Sequence, residues 1–345
     1  MFKKVKKSLK NLFEYIKEFV TEEYKFLICL ALFYIILTWP VNYYIIVGGG
    51  ISDVGERVSV EEGYDSEGSF NLSYVSELKG TTLTYALSYI IPSWDRENMD
   101  DYKYSETDSY EDIEFRGDID LKSTNANAIK VAFDLADKEY KEISSKIYVI
   151  ATFDEYKTNF LVQDELVSVD GKSFDNTSDY SEYLQKFDVG DVVDVVVIRD
   201  GKETEISCEV YGEEERKIFG IALQIAKEYE TDPEVDITFK SSESGPSGGL
   251  ITTLEIYDKL VKKDITNSLK IAGTGTVDEE GNVGKIGGVK YKLIGAAAGG
   301  ADVFLVPNGD NYDTALEIAK EKKLDIKIIG VSTVEEAIEE LSKIK

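Results

Sequence analysis

Apolar positions along the chain change their spacing several times, and each change marks a boundary. Residues 26–47 form an uncharged run of 22 residues interrupted only by Thr38, Pro40 and Asn42. As one helix, at about 1.5 Å per residue, the run reaches roughly 33 Å against a hydrocarbon core of about 30 Å. The expectation is a transmembrane signal-anchor helix over 26–47, with Trp39, Tyr43 and Tyr44 placed as an interfacial aromatic belt. Residues 48–144 read as a β-rich membrane-proximal region ending in a helix. Within it, 69–75 and 81–87 have strand composition. Over 125–143, Ile129, Ala132, Phe133, Ala136 and Tyr140 share one helical face.

The spacing then drops to two. Segments 146–153, 166–169 and 192–198 read as strands, with a helix over 178–187 and turns at Asp170-Gly171 and Asp200-Gly201. From Ile218 onward strands and helices alternate. Strands are expected at 235–239 and 301–306, and 268–277 and 283–286 bracket a turn at 278–281. Helices are expected after Ser247 (Leu250, Leu254, Tyr257 and Leu260 on one face) and over 290–298 and 313–322, while 324–329 and 334–344 close the domain. Such alternation predicts an α/β or α+β fold over 218–345.

Charge sharpens this division. The 345 residues carry a net charge of −27, which excludes nucleic acid as a partner, because phosphate binding needs a cationic surface. Residues 1–25 run the other way, with seven lysines against four glutamates. They read as a cytoplasmic basic segment. The positive-inside bias then puts the chain at the cell membrane as a single-pass protein, N-terminus in the cytoplasm and the acidic bulk outside. Val47-Gly48-Gly49-Gly50 offers no A-x-A cleavage site, which argues against a removed signal peptide. Two cysteines make no disulfide framework. The acidic, tyrosine-rich stretch 100–120 lacks a calcium-loop pattern and reads as a solvated face.

The most informative chemistry is a conflict. Gly245-Pro246-Ser247-Gly248-Gly249 has the form of a nucleophile elbow, yet the chain contains no histidine. A histidine-based triad, a histidine esterase and every histidine-based metal site are therefore excluded. A neutral lysine is the main alternative base, and Lys292 lies downstream in Gly287-Gly288-Val289-Lys290-Tyr291-Lys292. Lowering a lysine from about 10.4 to 7–8 costs about 4 kcal/mol, so burial among Val289, Leu293, Ile294 and Ala296–Ala298 has to outweigh the acidic field of the chain. A serine at the start of a helix has backbone amides and the helix dipole facing a developing oxyanion. No nucleotide-binding glycine motif occurs, and no cofactor or metal is expected.

Two resemblances follow from these residues. Segment 145–212, with Asp164-Glu165-Leu166-Val167-Ser168-Val169-Asp170-Gly171 and the hairpin at Arg199-Asp200-Gly201-Lys202, resembles a PDZ domain. It departs from that family at Gln163-Asp164, where a Gly-Asp pair is usual. The resemblance implies a groove that takes an extended peptide by strand addition, with a carboxylate-binding loop near 148–151. The other reading of this segment is a spacer with no binding role. Segment 218–345 resembles the proteolytic domain of Lon-type serine proteases, on Gly245-Pro246-Ser247-Gly248-Gly249, Gly273-Thr274-Gly275-Thr276 and Gly287-Gly288-Val289-Lys290-Tyr291-Lys292. Gly248 departs from the usual alanine of the first motif. The whole chain looks like the membrane-anchored, PDZ-containing Lon-like group. The resemblance implies a Ser247–Lys292 dyad, with Thr274 orienting the amine and Gly245, Pro246 and Gly248 shaping the serine turn. It implies an endopeptidase acting on exposed peptide or protein segments, without the ATPase of full-length Lon. A homo-oligomer is left open, as is a non-catalytic peptide-binding scaffold.

Overall fold

The computed structural model of the chain describes residues 2–239, 243 and 245–344; the side chains of residues 2–12 and 16, which include five of the seven lysines of the basic segment, lie outside it. The chain divides into two compact units. One comprises residues up to Val47 together with Glu77–Asp101, and the other Gly48–Ser76 together with Tyr102 onward.

The first unit opens with α1 (Phe2–Thr38), interrupted at Glu23, whose φ of −105° and ψ of 15° are non-helical. The helix stops well short of residue 47, and β1 (Pro40–Asp53) begins there instead. Pro40 has no N–H to donate and biases Trp39 away from helical geometry. Beyond it Val41, Tyr43, Tyr44, Ile45, Ile46 and Val47 are β-branched or aromatic and favour a strand. The expected helix over 26–47 is thus corrected to a helical part ending at Thr38. Among the described residues, no helix is long and apolar enough to cross a membrane. Chain order continues with β2 (Val58–Val60) and β3 (Ser69–Thr81). The expected strand at 81–87 is also corrected. Thr82–Leu87 forms α2, because Thr81 and Thr84 cap its start reciprocally. β4 (Asp95–Asn98) pairs antiparallel with β1 over Tyr43–Ile46.

In the second unit α3 runs Tyr110–Ala136, capped by a Ser109–Asp112 box and ended by Asp137 in left-handed geometry. It starts earlier and stops sooner than the period at 125–143 suggests, because the helical face continues upstream through Ile119 and Arg116. A five-stranded sheet follows. Its members are β5 (Glu139–Thr152), β6 (Glu165–Val169), β7 (Val192–Arg199), β8 (Lys202–Glu209) and, after the short β9 (Tyr211–Glu213) and β10 (Arg216–Ile218), β11 (Ile221–Asp232). The order is β11–β5–β6–β7–β8, and α4 (Thr177–Leu184) lies over a core of Val149, Phe160, Val169, Leu184, Val195 and Phe219. Residues 148–151 are therefore no open loop. Tyr148, Val149 and Ala151 pair with Gln224, Leu223 and Ala222 of β11, while Val149 also exchanges backbone bonds with Gln163 and Asp164. The edge strands of this sheet are β11 and β8. Gln163 has a φ of +80°, which explains the usual glycine there, and its Nε2 is 3.1 Å from Asp112 Oδ1. Asp164 is fully buried and bonded twice by Arg199, at 2.8 and 2.7 Å.

The remaining elements are β12 (Val235–Ile237), α5 (Gly249–Leu260), β13 (Lys270–Gly273), β14 (Thr276–Val277), β15 (Val283–Gly284), α6 (Val289–Ala298), β16 (Val303–Pro307), α7 (Asp310–Lys322), β17 (Lys327–Val331) and α8 (Val334–Ser342). β17, β16, β13 and β3 form a parallel array in that order, with Ile271 opposite Val303 on one side and Phe70 on the other. β2 pairs with β12. This sheet thus draws strands from far upstream of residue 218, and the β5–β8 sheet interrupts it in sequence. A core of Phe70, Val131, Phe133, Leu250, Leu254, Ile271 and Leu305 joins α3, α5 and this sheet. All are buried, and apolar burial at roughly 25 cal/mol per Å² makes this packing the main support of the serine turn.

Candidate active site

Ser247 lies in the 3-10 turn Pro246–Gly248, immediately before α5. Gly245 enters that turn at φ +87°, ψ 162°, a conformation costly for any residue with a Cβ. Proline at the start of the turn needs no hydrogen bond and presets φ. The Ser247 carbonyl is fixed by the Gly275 amide at 2.8 Å and by Thr274 Oγ1 at 3.1 Å, and Gly275 in turn accepts the Leu250 amide at 3.0 Å. The side chain is thereby presented at the N-terminal end of a buried helix, where backbone amides favour negative charge.

A Cβ on Gly249 would fall 2.9 Å from the Val277 amide, so this glycine lets α5 start against β14. Gly248 is less constrained. Its added Cβ would meet Leu72 Cδ1 at 3.1 Å, a flexible side-chain terminus that occupies the space an alanine would use.

Thr274 follows β13, whose partner β16 holds its amide through Leu305 O at 3.0 Å. It is fully buried. Lys292 comes from α6, which begins at Gly288 in left-handed geometry (φ +71°). Its Nζ lies 2.9 Å from Ser247 Oγ and 3.1 Å from Thr274 Oγ1, and the residue is only 5% exposed. Thr274 Oγ1 therefore donates to the Ser247 carbonyl and accepts from Lys292. One hydroxyl fixes both the backbone of the serine and the amine beside it. Lys290 points elsewhere, exposed, with its Nζ 4.9 Å from the Tyr291 ring centre. The structure brings Gly245, Pro246, Ser247, Gly248, Thr274 and Lys292 together as a single site.

Chemically, a buried amine within hydrogen-bond reach of a hydroxyl is a general base once it gives up one proton. Burial disfavours the ammonium form, and Val289, Tyr291, Leu293 and Ala296 on the same helix are all buried.

Three supports of the site carry no local motif. Arg57 is buried and grips Glu243, four residues before the serine, through Nε (3.1 Å to Oε2) and a second, shorter bond from Nη2. That carboxylate raises the Arg57 pKa further. Gly117 of α3 accepts the Gly245 amide at 3.2 Å. Gly49 seats α6, since a Cβ there would lie 2.3 Å from Tyr291 O. Only the clustering of Gly48, Gly49 and Gly50 hinted at such a close approach.

Residues 229–343 match the Lon protease (S16) C-terminal proteolytic domain, and residues 137–210 match a PDZ domain. The Lon protease of Neorickettsia sennetsu is 36% identical over 98 residues, covering 28% of this chain and 12% of that protein. That of Clostridium beijerinckii is 38% identical over 100 residues, covering 28% and 12%, and that of Azospirillum brasilense 31% over 141 residues, covering 40% and 16%. The chain thus spans less than a fifth of the length of these relatives. Among solved structures, the PDZ domain of the SdrC-like protein from Listeria monocytogenes is 19% identical (22% of this chain, 85% of that one, TM-score 0.21). The corresponding domain from Listeria innocua is 21% identical (23% and 92%, TM-score 0.22). By these matches residues 229–343 are similar to the Lon S16 proteolytic domain, a serine peptidase domain, and residues 137–210 to a PDZ domain.

Proposed function

We propose that the chain is an ATP-independent serine endopeptidase that cleaves exposed peptide or protein segments at a membrane, with Ser247 as nucleophile and Lys292 as general base. The observation that carries this reading is the Lys292 Nζ held 2.9 Å from Ser247 Oγ by Thr274. Neutral Lys292 accepts the Ser247 proton as Oγ bonds to the substrate carbonyl carbon, and the turn amides before α5 receive the oxyanion. The ammonium so formed gives its proton to the departing amine as the C–N bond breaks. Lys292 then takes a proton from the water that attacks the acyl-enzyme and returns it to Ser247 Oγ as the ester C–O bond breaks.

The PDZ sheet supports capture of an extended segment at its β11 edge rather than at β5, which is paired on both sides. The uncharged part of α1 after a lysine-rich start supports attachment to a membrane. We read the N-terminus as cytoplasmic and the catalytic unit as outside, a reading that protease protection of intact cells decides.

The test is cleavage of a peptide library by the full chain in detergent, wild type against Ser247→Ala, together with fluorophosphonate labelling. Cleavage and labelling should both vanish in the variant. A wild-type protein that binds peptides, takes no label and cuts none would instead be a scaffold.

A further inference from the structure

The first unit contains a second uncharged run, residues 81–94 (TTLTYALSYIIPSW). It holds α2, none of whose residues is buried, followed by a turn. Leu83 is 41% exposed, Tyr89 66% and Ile90 74%, the last being the most exposed large apolar side chain among the described residues. This apolar tip is held in place rather than loose. Thr82 donates its amide (2.9 Å) and Oγ1 (3.3 Å) to the carbonyl of Trp39, the residue immediately after α1. The rings of Tyr43 and Tyr85 lie 4.8 Å apart, and Gly80 abuts the Tyr43 carbonyl so closely that a Cβ would sit 2.5 Å from it. The Arg96 guanidinium sits 3.9 Å over the Tyr89 ring and donates to Ser88 Oγ at 3.0 Å.

What covers such a tip is indicated by its neighbour. Leu32, Phe33, Tyr34, Ile35 and Ile36 are each about half exposed or more, and five consecutive residues at 100° apiece encircle the helix. A protein partner covers one stripe of a helix; hydrocarbon covers all of it. The thirteen-odd residues of α1 after Lys25 reach only about 20 Å, so its end and the tip beside it fall near one boundary of the bilayer. Tyr85, Tyr89 and Trp94 are residue types enriched at that boundary, and a guanidinium just behind them suits lipid phosphate.

We infer that residues 81–94 are a second membrane contact, with Tyr89 and Ile90 entering the boundary between acyl chains and headgroups beside the end of α1, and Arg96 at phosphate level. The inference rests on the reading that α1 enters the membrane, and the two are separable because the chain has two tryptophans, Trp39 closing α1 and Trp94 closing the tip. Full-length protein is reconstituted in phosphatidylcholine–phosphatidylglycerol vesicles whose acyl chains are brominated near the headgroup. In Trp39→Phe protein, Trp94 emission should be quenched by about a third or more relative to unbrominated vesicles. Adding Tyr89→Ser and Ile90→Ser should cut that quenching at least about threefold, while Trp39 in Trp94→Phe protein stays quenched. Circular dichroism and unchanged cleavage of a short peptide confirm folding of each variant. Quenched Trp39 beside unquenched Trp94 overturns the inference and leaves the α1 reading intact. Loss of both signals overturns both. Unquenched Trp94 with cross-linking between copies that depends on Tyr89 and Ile90 overturns it in favour of a self-association surface.

Discussion

Arg57 and Glu243 stand 186 positions apart and meet in a two-bond ion pair behind the serine turn. Arg57 also donates Nη1 to the Asp53 carbonyl at 3.1 Å, and its own carbonyl accepts the Thr238 amide at 2.9 Å. One residue thus fixes the chain where it leaves β12 and again just before Ser247. Glu243→Gln leaves the buried Arg57 guanidinium without its carboxylate, Arg57→Gln removes the guanidinium from the half-buried Glu243, and either frees the approach to the serine turn. Either should lower kcat about tenfold or more with a smaller change in KM. A double-mutant cycle should return a coupling of about 1–3 kcal/mol. Arg57→Lys should restore little, because an ammonium cannot make the paired bonds. Additive losses would show that the pair does not act on the turn.

The choice between the two lysines of α6 follows from helix geometry, since residues two apart point about 200° apart. Lys292→Ala and Lys292→Arg should each lower kcat/KM by at least about a thousandfold, arginine because it stays charged. Lys290→Ala should stay within about twofold of wild type, as expected for an exposed surface substitution. Steady-state cleavage of one fluorogenic peptide by all three variants checks this. An active Lys292→Ala protein beside an inactive, folded Lys290→Ala protein would reverse the assignment.

Thr274 makes the sharper test of how the amine is held. Thr274→Val removes both the bond accepted from Lys292 and the bond donated to the Ser247 carbonyl, with little change of volume. The loss in kcat/KM should be about 10- to 100-fold, the size of one or two bonds to a charged or catalytic group. Thr274→Ser keeps the hydroxyl and should recover most of it. Equal loss in both variants would mean that packing, not the hydroxyl, matters there.

The site's chemistry was legible because it is local and because one residue type is missing. Without histidine, a glycine-flanked serine needs another base, and Lys292 and Thr274 sit in short motifs that place them. The alternation after Ile218 likewise carries its own period. What stayed hidden depends on distant pairing. Nothing around Arg57 or Gly117 signals Glu243 or Gly245, and β3 reads as an isolated strand until β13 lies beside it. The helix ending at Thr38 escaped a hydropathy reading because the apolar run continues unbroken past Pro40, and only backbone chemistry separates the two halves. At 81–87 composition favoured a strand, whereas the Thr81–Thr84 caps closed a helix. Residues 148–151, expected as a loop, lie instead within β5 because pairing with β11, which no motif encodes, extends that strand.

Asp258 provides a stability test away from the chemistry. It is 2% exposed on α5, accepts the Ile265 amide at 2.8 Å through Oδ1, and is bonded by Ser66 Oγ through Oδ2. Burial pushes its carboxyl above the usual aspartate value and outweighs both hydrogen bonds, which pull it down. A carboxyl with a raised folded-state pKa stabilises the fold fully below its unfolded value of about 3.9, and that contribution is lost as pH rises through the folded value. At neutral pH the chain therefore holds a buried charge at a cost. Asp258→Asn keeps an oxygen for the Ile265 amide and offers Nδ2 as a donor to Ser66 Oγ. Its Tm should exceed that of wild type by about a few degrees at pH 7–8. The gap should close as pH falls through the folded-state value of the wild-type carboxyl, which lies above the usual aspartate value. Thermal melts of both proteins across that range measure it directly. A gap that is constant with pH, or that widens toward acid, would show that the carboxylate's charge is not what limits stability there.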